Sequence, residues 1–380
     1  SASATSSSTS SASRLKIKFR HIILIILVVF VLAARFSVSI GEWYSTTVYP
    51  LISAALSWLV SWITFSLEEV AVIGSCGFML CLIVYSIRQR VGLWKTLLRI
   101  TELLLWIYLW IYIAWGCNYF RADLYRRTGS ERQAYDESVF KDFVHAYTDS
   151  LNAAYASFKE DEDGVGLEQT DLEAYVKQAY SGVPDIYGLS VPRPWQHPKD
   201  VLLKNLYSSV GVLGYIGPFF CETQLNPDLP PDQYPFIYAH EYSHLMGVSN
   251  EAEANYWAYV ICTASHLPEV RYSGYYSLLP YVLSNAIRAL TEKDYRELLR
   301  TIHPDILAQY SQERDYWNSL YSSFLGKIQS AIYNAFLKGN KIPSGTANYL
   351  EVIDMIISVP SAMESSVPIA QDYSLRSVFQ

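Results

Sequence analysis

Charged side chains are scarce in this sequence. Asp, Glu, Lys and Arg supply 17% of the residues, against 51% for the apolar types. Soluble domains usually carry about 25% charge, so the balance favours a membrane-associated protein. Cysteine is scarcer still. The five residues are an odd number without paired spacing, which excludes a disulfide framework. Cys76 and Cys81 fall inside an apolar run, Cys117 lies at the edge of another, and Cys221 and Cys262 read as two buried thiols. There is no internal repeat, no Gly-rich loop that could cradle a phosphate, and no nucleic-acid signature. Acidic residues outnumber basic ones 36 to 29, which argues against a nucleic-acid partner.

What the chain does have is apolar runs, and roughly the length of two domains. Its first thirteen residues are Ser, Ala and Thr alone, and residues 1–18 are set aside as a disordered tail. Arg14, Lys16, Lys18 and Arg20 then precede an apolar run at 22–34. That run reaches spanning length when extended through Phe36, Val38 and Ile40, with Arg35 snorkelling and Trp43 and Tyr44 at the interface. A cleaved signal peptide shares the basic-then-apolar pattern, but no small-residue cleavage site follows, so an anchor is favoured. Residues 70–87 and 97–115 form the second and third spans. The membrane domain therefore covers 19–116.

Between the first two spans, residues 45–67 are uncharged but carry Ser, Thr and Pro50. Leu51, Ala55, Trp58, Leu59, Trp62 and Ile63 recur at helical spacing, which suits a helix lying in the membrane interface. Charge sets the orientation. The N-terminal basic cluster and the loop with Arg88, Arg90, Lys95 and Arg99 should both be cytoplasmic. Two crossings satisfy that and three do not, so the third span exports everything after Cys117. Beyond Gly116 acids outnumber bases 32 to 20, consistent with an acidic extracytoplasmic domain over 117–380.

That domain reads as largely helical. Helices are predicted at 138–158, 169–179, 278–290, 292–302, 306–337 and 349–357, the last of them peripheral, with an acidic turn at 160–166. Residues 207–220 interrupt β-branched and aromatic residues with Gly211, Gly214 and Gly217. This reads as a short strand or hairpin that either borders a substrate cleft or is ordinary scaffold.

The chemistry concentrates at 235–255, PFIYAHEYSHLMGVSNEAEAN. His240, Glu241 and His244 have H-E-x-x-H spacing, and on a helix the two imidazoles share a face and can reach one ion. Glu241 stands beside that ion, placed to work on its water. Pro235 suits a first helical turn, with Asp232 or Gln233 to cap it, and Gly247 suits a left-handed stop. Asn250 then caps a second helix with Glu253 at capping-box spacing. Glu251 and Asn255, four apart, share a face of that helix. Residues 251 and 253 point about 200° apart, and Glu253 already has the cap to serve, so Glu251 is the expected third ligand. His145, His197, His266 and His303 lack ligand spacing and read as structural.

H-E-x-x-H followed by E-x-x-x-N on the next helix resembles the gluzincin pattern of zinc metallopeptidases. The closer resemblance is to the DUF3810 family, bacterial membrane proteins placed in that superfamily. It rests on WGCNYFR at 115–121, GYIGPFFCETQLN at 214–226, the 235–255 stretch and RYSGYYSLLPY at 271–281, and covers most of residues 19–281. The resemblance implies a mainly α protein: three transmembrane helices, then a mostly helical, zincin-like domain with a small β element beside the cleft. It also implies a bacterial inner-membrane location. Asn255 departs from the Asp common at that position; it can accept a hydrogen bond from a ligand imidazole but raises ligand basicity less.

The expected function is membrane-anchored, zinc-dependent peptide hydrolysis. His240, His244 and Glu251 hold Zn²⁺, Glu241 is the general base, and Tyr272 is a candidate donor to the oxyanion, with packing against the zinc helices as its structural alternative. The partners are a peptide or protein substrate, membrane-proximal by this reading, and the lipid bilayer. The alternative is a catalytically silent, zinc-stabilised scaffold or sensor. An intramembrane protease is disfavoured because His240 lies far beyond the last apolar run.

Overall fold

A computed structural model of the chain describes residues 19–133, 137–160 and 168–359. The expected tail at 1–18, with Arg14, Lys16 and Lys18, lies outside the described residues, as does all but Glu160 of the expected acidic turn. The described chain is mostly helical, with one two-stranded sheet.

Three helices are long and apolar enough to cross a membrane: α1 (Phe19–Phe36), and two that follow after a helical insert. The insert comprises α2 (Val38–Trp43), a π-turn at Tyr44–Val48 and α3 (Tyr49–Val60). Then come α4 (Leu67–Arg88) and α5 (Leu93–Ala114). Ser66 starts α4 by accepting from the Glu69 amide at 3.2 Å. Arg20 at the start of α1 pairs with Glu102 in the first half of α5 at 2.9 Å. Arg35 at the end of α1 lies over the Phe120 ring just beyond α5. The two helices therefore run parallel. The loop bearing Arg90 and the basic residues flanking it lie at the end of this bundle where α1 and α5 begin.

Everything else sits at the opposite end. The Phe219 amide donates to Glu68 at 2.8 Å and the Leu202 amide to Glu69 at 2.6 Å, both acids being at the start of α4. Lys199 caps the end of α3 by donating to the Val60 carbonyl at 2.9 Å. The insert itself is two-faced. Tyr49, Ser53, Ser57 and Val60 are buried against the following domain, whereas Leu51, Trp58, Leu59 and Trp62 are exposed. The face expected to meet the membrane interface is thus the one the protein leaves uncovered.

After a 3₁₀ turn at Gly116–Phe120, the domain continues through α6 (Leu124–Thr128), α7 (Glu137–Glu160), α8 (Gln169–Ser181) and α9 (Lys204–Val210). The hairpin follows, β1 (Gly214–Gly217) antiparallel to β2 (Glu222–Leu225), in a register that pairs Gly214 with Leu225. The predicted strand at 207–220 is corrected on its first half: that stretch completes α9, which Gly211 closes in the left-handed conformation at φ 73°. Next are α10 (Tyr234–Leu245), α11 (Glu251–Thr263), α12 (Pro268–Ala289), α13 (Glu292–Thr301), α14 (Pro304–Leu320), α15 (Ser323–Gly339) and α16 (Val352–Ser358). The single helix expected at 306–337 is two, because Ser322 caps a new one.

α10, α11, α12 and α7 pack in succession to form the core. It is rich in aromatic residues: Tyr238, Tyr242, Tyr256, Tyr272 and Trp257 are fully buried. A buried hydroxyl without a partner costs about 1–3 kcal/mol; Tyr242 and Tyr272 avoid it by donating to Gln196 and Gln309, and two neighbouring tyrosines donate to backbone carbonyls. Tyr180 donates to Ala239 and Tyr175 to Ile261, each at 2.8 Å. Cys221 and Cys262 are free, buried thiols, as expected. His197 pairs with Glu173 at 2.6 Å and His266 packs edge-on against Tyr175, both serving structure.

Candidate metal centre

The local sequence builds the centre as two short helices joined by a turn. Pro235 occupies the first turn of α10, and Gly247 at φ 93° ends it. Gln233 stands at the cap position without capping; its amide donates to Glu313 at 2.8 Å instead. Asn250 opens α11 by accepting from the Glu253 amide at 3.0 Å. Glu253 does not complete the reciprocal half of a capping box. Its carboxylate pairs with the buried Arg127 and accepts from Trp257 at 3.2 Å.

This geometry brings His240, His244 and Glu251 together, with one ligand atom from each lying within 4.8 Å of the others. Glu251 Oε2 is 3.3 Å from Nε2 of His240 and 3.6 Å from Nε2 of His244. Both imidazoles are held through their other nitrogen. His240 Nδ1 faces Asn255 Oδ1 at 2.8 Å and His244 Nδ1 faces the Val248 carbonyl at 2.7 Å. A carbonyl can only accept, so His244 carries its neutral-state proton on Nδ1, and Nε2 presents a lone pair to the centre. Asn255 thus stands where the spacing placed it, behind the first ligand.

The centre is dry. His240, Glu241, His244 and Glu251 are each at most 6% exposed. Burial pushes the Glu241 carboxyl up to about 7, against the lowering pull of the two imidazoles. For His244 burial acts downward, but the carboxylate of Glu251 outweighs it and raises the imidazole to about 9. Glu251 responds in the opposite sense: burial works to raise it, and the imidazoles hold it well below the ordinary value of 4.5. A proton on His244 thus balances the carboxylate, and a dication would displace it. Two imidazoles and one carboxylate are a donor set that fits zinc, leaving a coordination position for water or substrate. Oε2 of Glu241 adds a second sign of fit. It is buried and, among the described residues, has no hydrogen-bond partner.

Tyr272 is not brought to this cluster. Its hydroxyl donates to Gln309 on α14 at 2.8 Å and its ring stacks on Phe158 of α7 at 5.1 Å, so these contacts tie it to α14 and α7. Other tyrosines surround the ligands instead. Tyr333 on α15 donates to Oε1 of Glu251. Tyr349, in the 3₁₀ turn Gly345–Glu351, stacks on His240 with ring centroids 6.5 Å apart. The segment predicted to be peripheral therefore walls the centre, and α16 behind it packs on α11. The last apolar helix reaches the centre too: Trp115, at its end, donates through Nε1 to the His244 carbonyl at 3.0 Å. From the insert, Tyr49 donates to the Leu245 carbonyl at 2.9 Å.

A family model described as "Protein of unknown function (DUF3810)" matches residues 44–357. No curated protein matches the chain. No solved structure matches it either.

Proposed function

The chain belongs to the DUF3810 family, and for this member we propose zinc-dependent peptide hydrolysis by a gluzincin-like centre tethered to a bilayer. One observation carries the reading. A buried two-imidazole, one-carboxylate cluster stands beside a fourth buried acid, Glu241, whose Oε2 has no hydrogen-bond partner among the described residues. A purely structural metal site has no use for such an acid and fills its coordination with protein.

A zinc ion held by His240, His244 and Glu251 would supply Lewis acidity, polarising a carbonyl and acidifying a water. The chain's own residues do the rest. Asn255 and the Val248 carbonyl orient the imidazoles, and Tyr333 orients Glu251. Glu241, buried beside the two imidazoles with Oε2 unpartnered among the described residues, would accept a proton from water at Oε2 and return it to the leaving amine. In this reading α1, α4 and α5 cross the membrane, with the loop around Arg90 in the cytoplasm and the metal centre outside.

Cleavage profiling on a peptide library, comparing the intact protein with Glu241→Gln, tests the activity. Loss of the general base should cost about 10²–10⁴ in rate while zinc content stays at one per chain. Equal cleavage by both proteins would refute it. The burial of all four site residues gives the alternative, a silent metal-stabilised scaffold, its one support; zinc without cleavage of any library member would favour that reading.

A further inference from the structure

We propose that α15 is a second membrane-contact element, a helix lying flat on the outer surface of the bilayer with its apolar stripe in the lipid. The proposal rests on the reading that α1, α4 and α5 cross that bilayer. On α15, Phe324, Ile328, Ile332 and Phe336 recur every four residues with Leu325 beside them, so they line one face, and all are exposed, Phe324 at 71% and Ile332 at 66%. A stripe of this size is not left to water without a partner.

Position identifies the occupant. The C-terminal end of α15 is tied to the end of α1, where Arg35 donates to the Gly339 carbonyl at 2.9 Å and Lys341 donates to the Arg35 carbonyl. At the other end, the Ser322 amide donates to the Ser209 carbonyl on α9 at 2.8 Å. The segment leading into α9 is in turn fixed to the start of α4 through Glu69. α15 therefore runs for about 25 Å between the domain-side ends of two apolar helices, across the bundle rather than along it. The exposed Leu202, Leu203 and Leu206 continue its apolar surface.

Charge agrees with position. Between Asp315 and Glu351 the sequence has no acid and three lysines, Lys327, Lys338 and Lys341, in a chain of net charge −7. Lysines flanking an aromatic and aliphatic stripe are the composition of an interfacial helix against phospholipid headgroups. α3 and the turn after it present Leu51, Trp58, Leu59 and Trp62 in the same manner. Through Tyr49 and Tyr333, the two helices hold α10 and Glu251 between them.

The test places an environment-sensitive fluorophore at Ile328→Cys in the full chain, with the exposed Cys76 and Cys81 replaced by Ser. The protein is reconstituted into phosphatidylcholine vesicles with and without brominated acyl chains. Labels at Ile26→Cys on α1 and Glu297→Cys on α13 serve as lipid and water references. The expected result is loss of emission at Ile328 in brominated lipid comparable with that at Ile26, and no loss at Glu297. Quenching at Ile26 without quenching at Ile328 would overturn the placement of α15 and leave the spans standing. Quenching at neither would remove the spans and the proposal with them. Shielding of Ile328 that grows with protein density and ignores bromine would assign the stripe to a second copy of the chain, also overturning the proposal.

Discussion

Tyr333 donates its hydroxyl proton to Oε1 of Glu251, while Oε2 of the same carboxylate faces both imidazoles. The tyrosine thereby decides which oxygen is available to a metal. Outer partners of this kind typically govern metal affinity by 10–100-fold. Tyr333→Phe keeps the ring and removes the donor, so zinc affinity should fall by about tenfold without loss of the fold. Competition against a chelator of known affinity checks it, and an unchanged dissociation constant would show that Glu251 is positioned by its helix alone.

The two acids at the start of α11 should separate cleanly. Glu251→Gln removes a ligand charge, and zinc should be lost on dialysis. Glu253→Gln should retain zinc but leave Arg127, which is 4% exposed in its side chain, as an uncompensated buried cation. Breaking one partner of a buried pair costs about 3–5 kcal/mol. Elemental analysis and thermal melts of the two variants read this out, and metal loss from the second with retention in the first would reverse the ligand assignment.

Much of this was legible in the sequence because it is local. The ligand spacing, the Gly247 stop, the Asn250 cap and the apolar face of residues 51–62 each depend on residues within a few turns of one another. Tyr333 and Tyr349 were not, because they reach the centre from far along the chain. Tyr333 lies 82 residues beyond Glu251, and periodicity says which face is apolar, not which distant helix meets it. The same limit misdirected attention to Tyr272, nearer in sequence yet committed to Gln309 and Phe158. The available signal was the acid-free stretch between Asp315 and Glu351, which sets α15 apart from the rest of an acidic domain.

A carboxyl outside the His240–His244–Glu251 cluster offers a pH test. Burial, reinforced by neighbouring Asp232, raises Glu313 from its ordinary 4.5 to about 8. A raised folded-state value means the fold holds this proton more tightly than the unfolded chain. The associated stability is therefore complete below pH 4.5 and is lost as pH rises through 8. Glu313→Gln should melt close to the parent at pH 5 and above it at pH 9. A melting difference independent of pH would sink this account.

The hairpin meets Glu241 at Gly214. A Cβ placed there would lie 2.7 Å from Cγ and 2.8 Å from Oε1 of Glu241, and 3.0 Å from the Gln224 carbonyl of the paired strand. The carbonyl belongs to the β1–β2 ladder and cannot yield without breaking the pairing, so the Glu241 side chain has to move. Gly214→Ala should then reduce peptide cleavage by at least tenfold. Zinc content should be unchanged, because the atoms nearest the new methyl belong to Glu241 and Gln224 and not to the expected ligands. The melting temperature should fall only modestly, since the strand stays extended. Turnover and metal content measured on one preparation check it, and full activity in this variant would mean that the position of Glu241 does not limit the reaction.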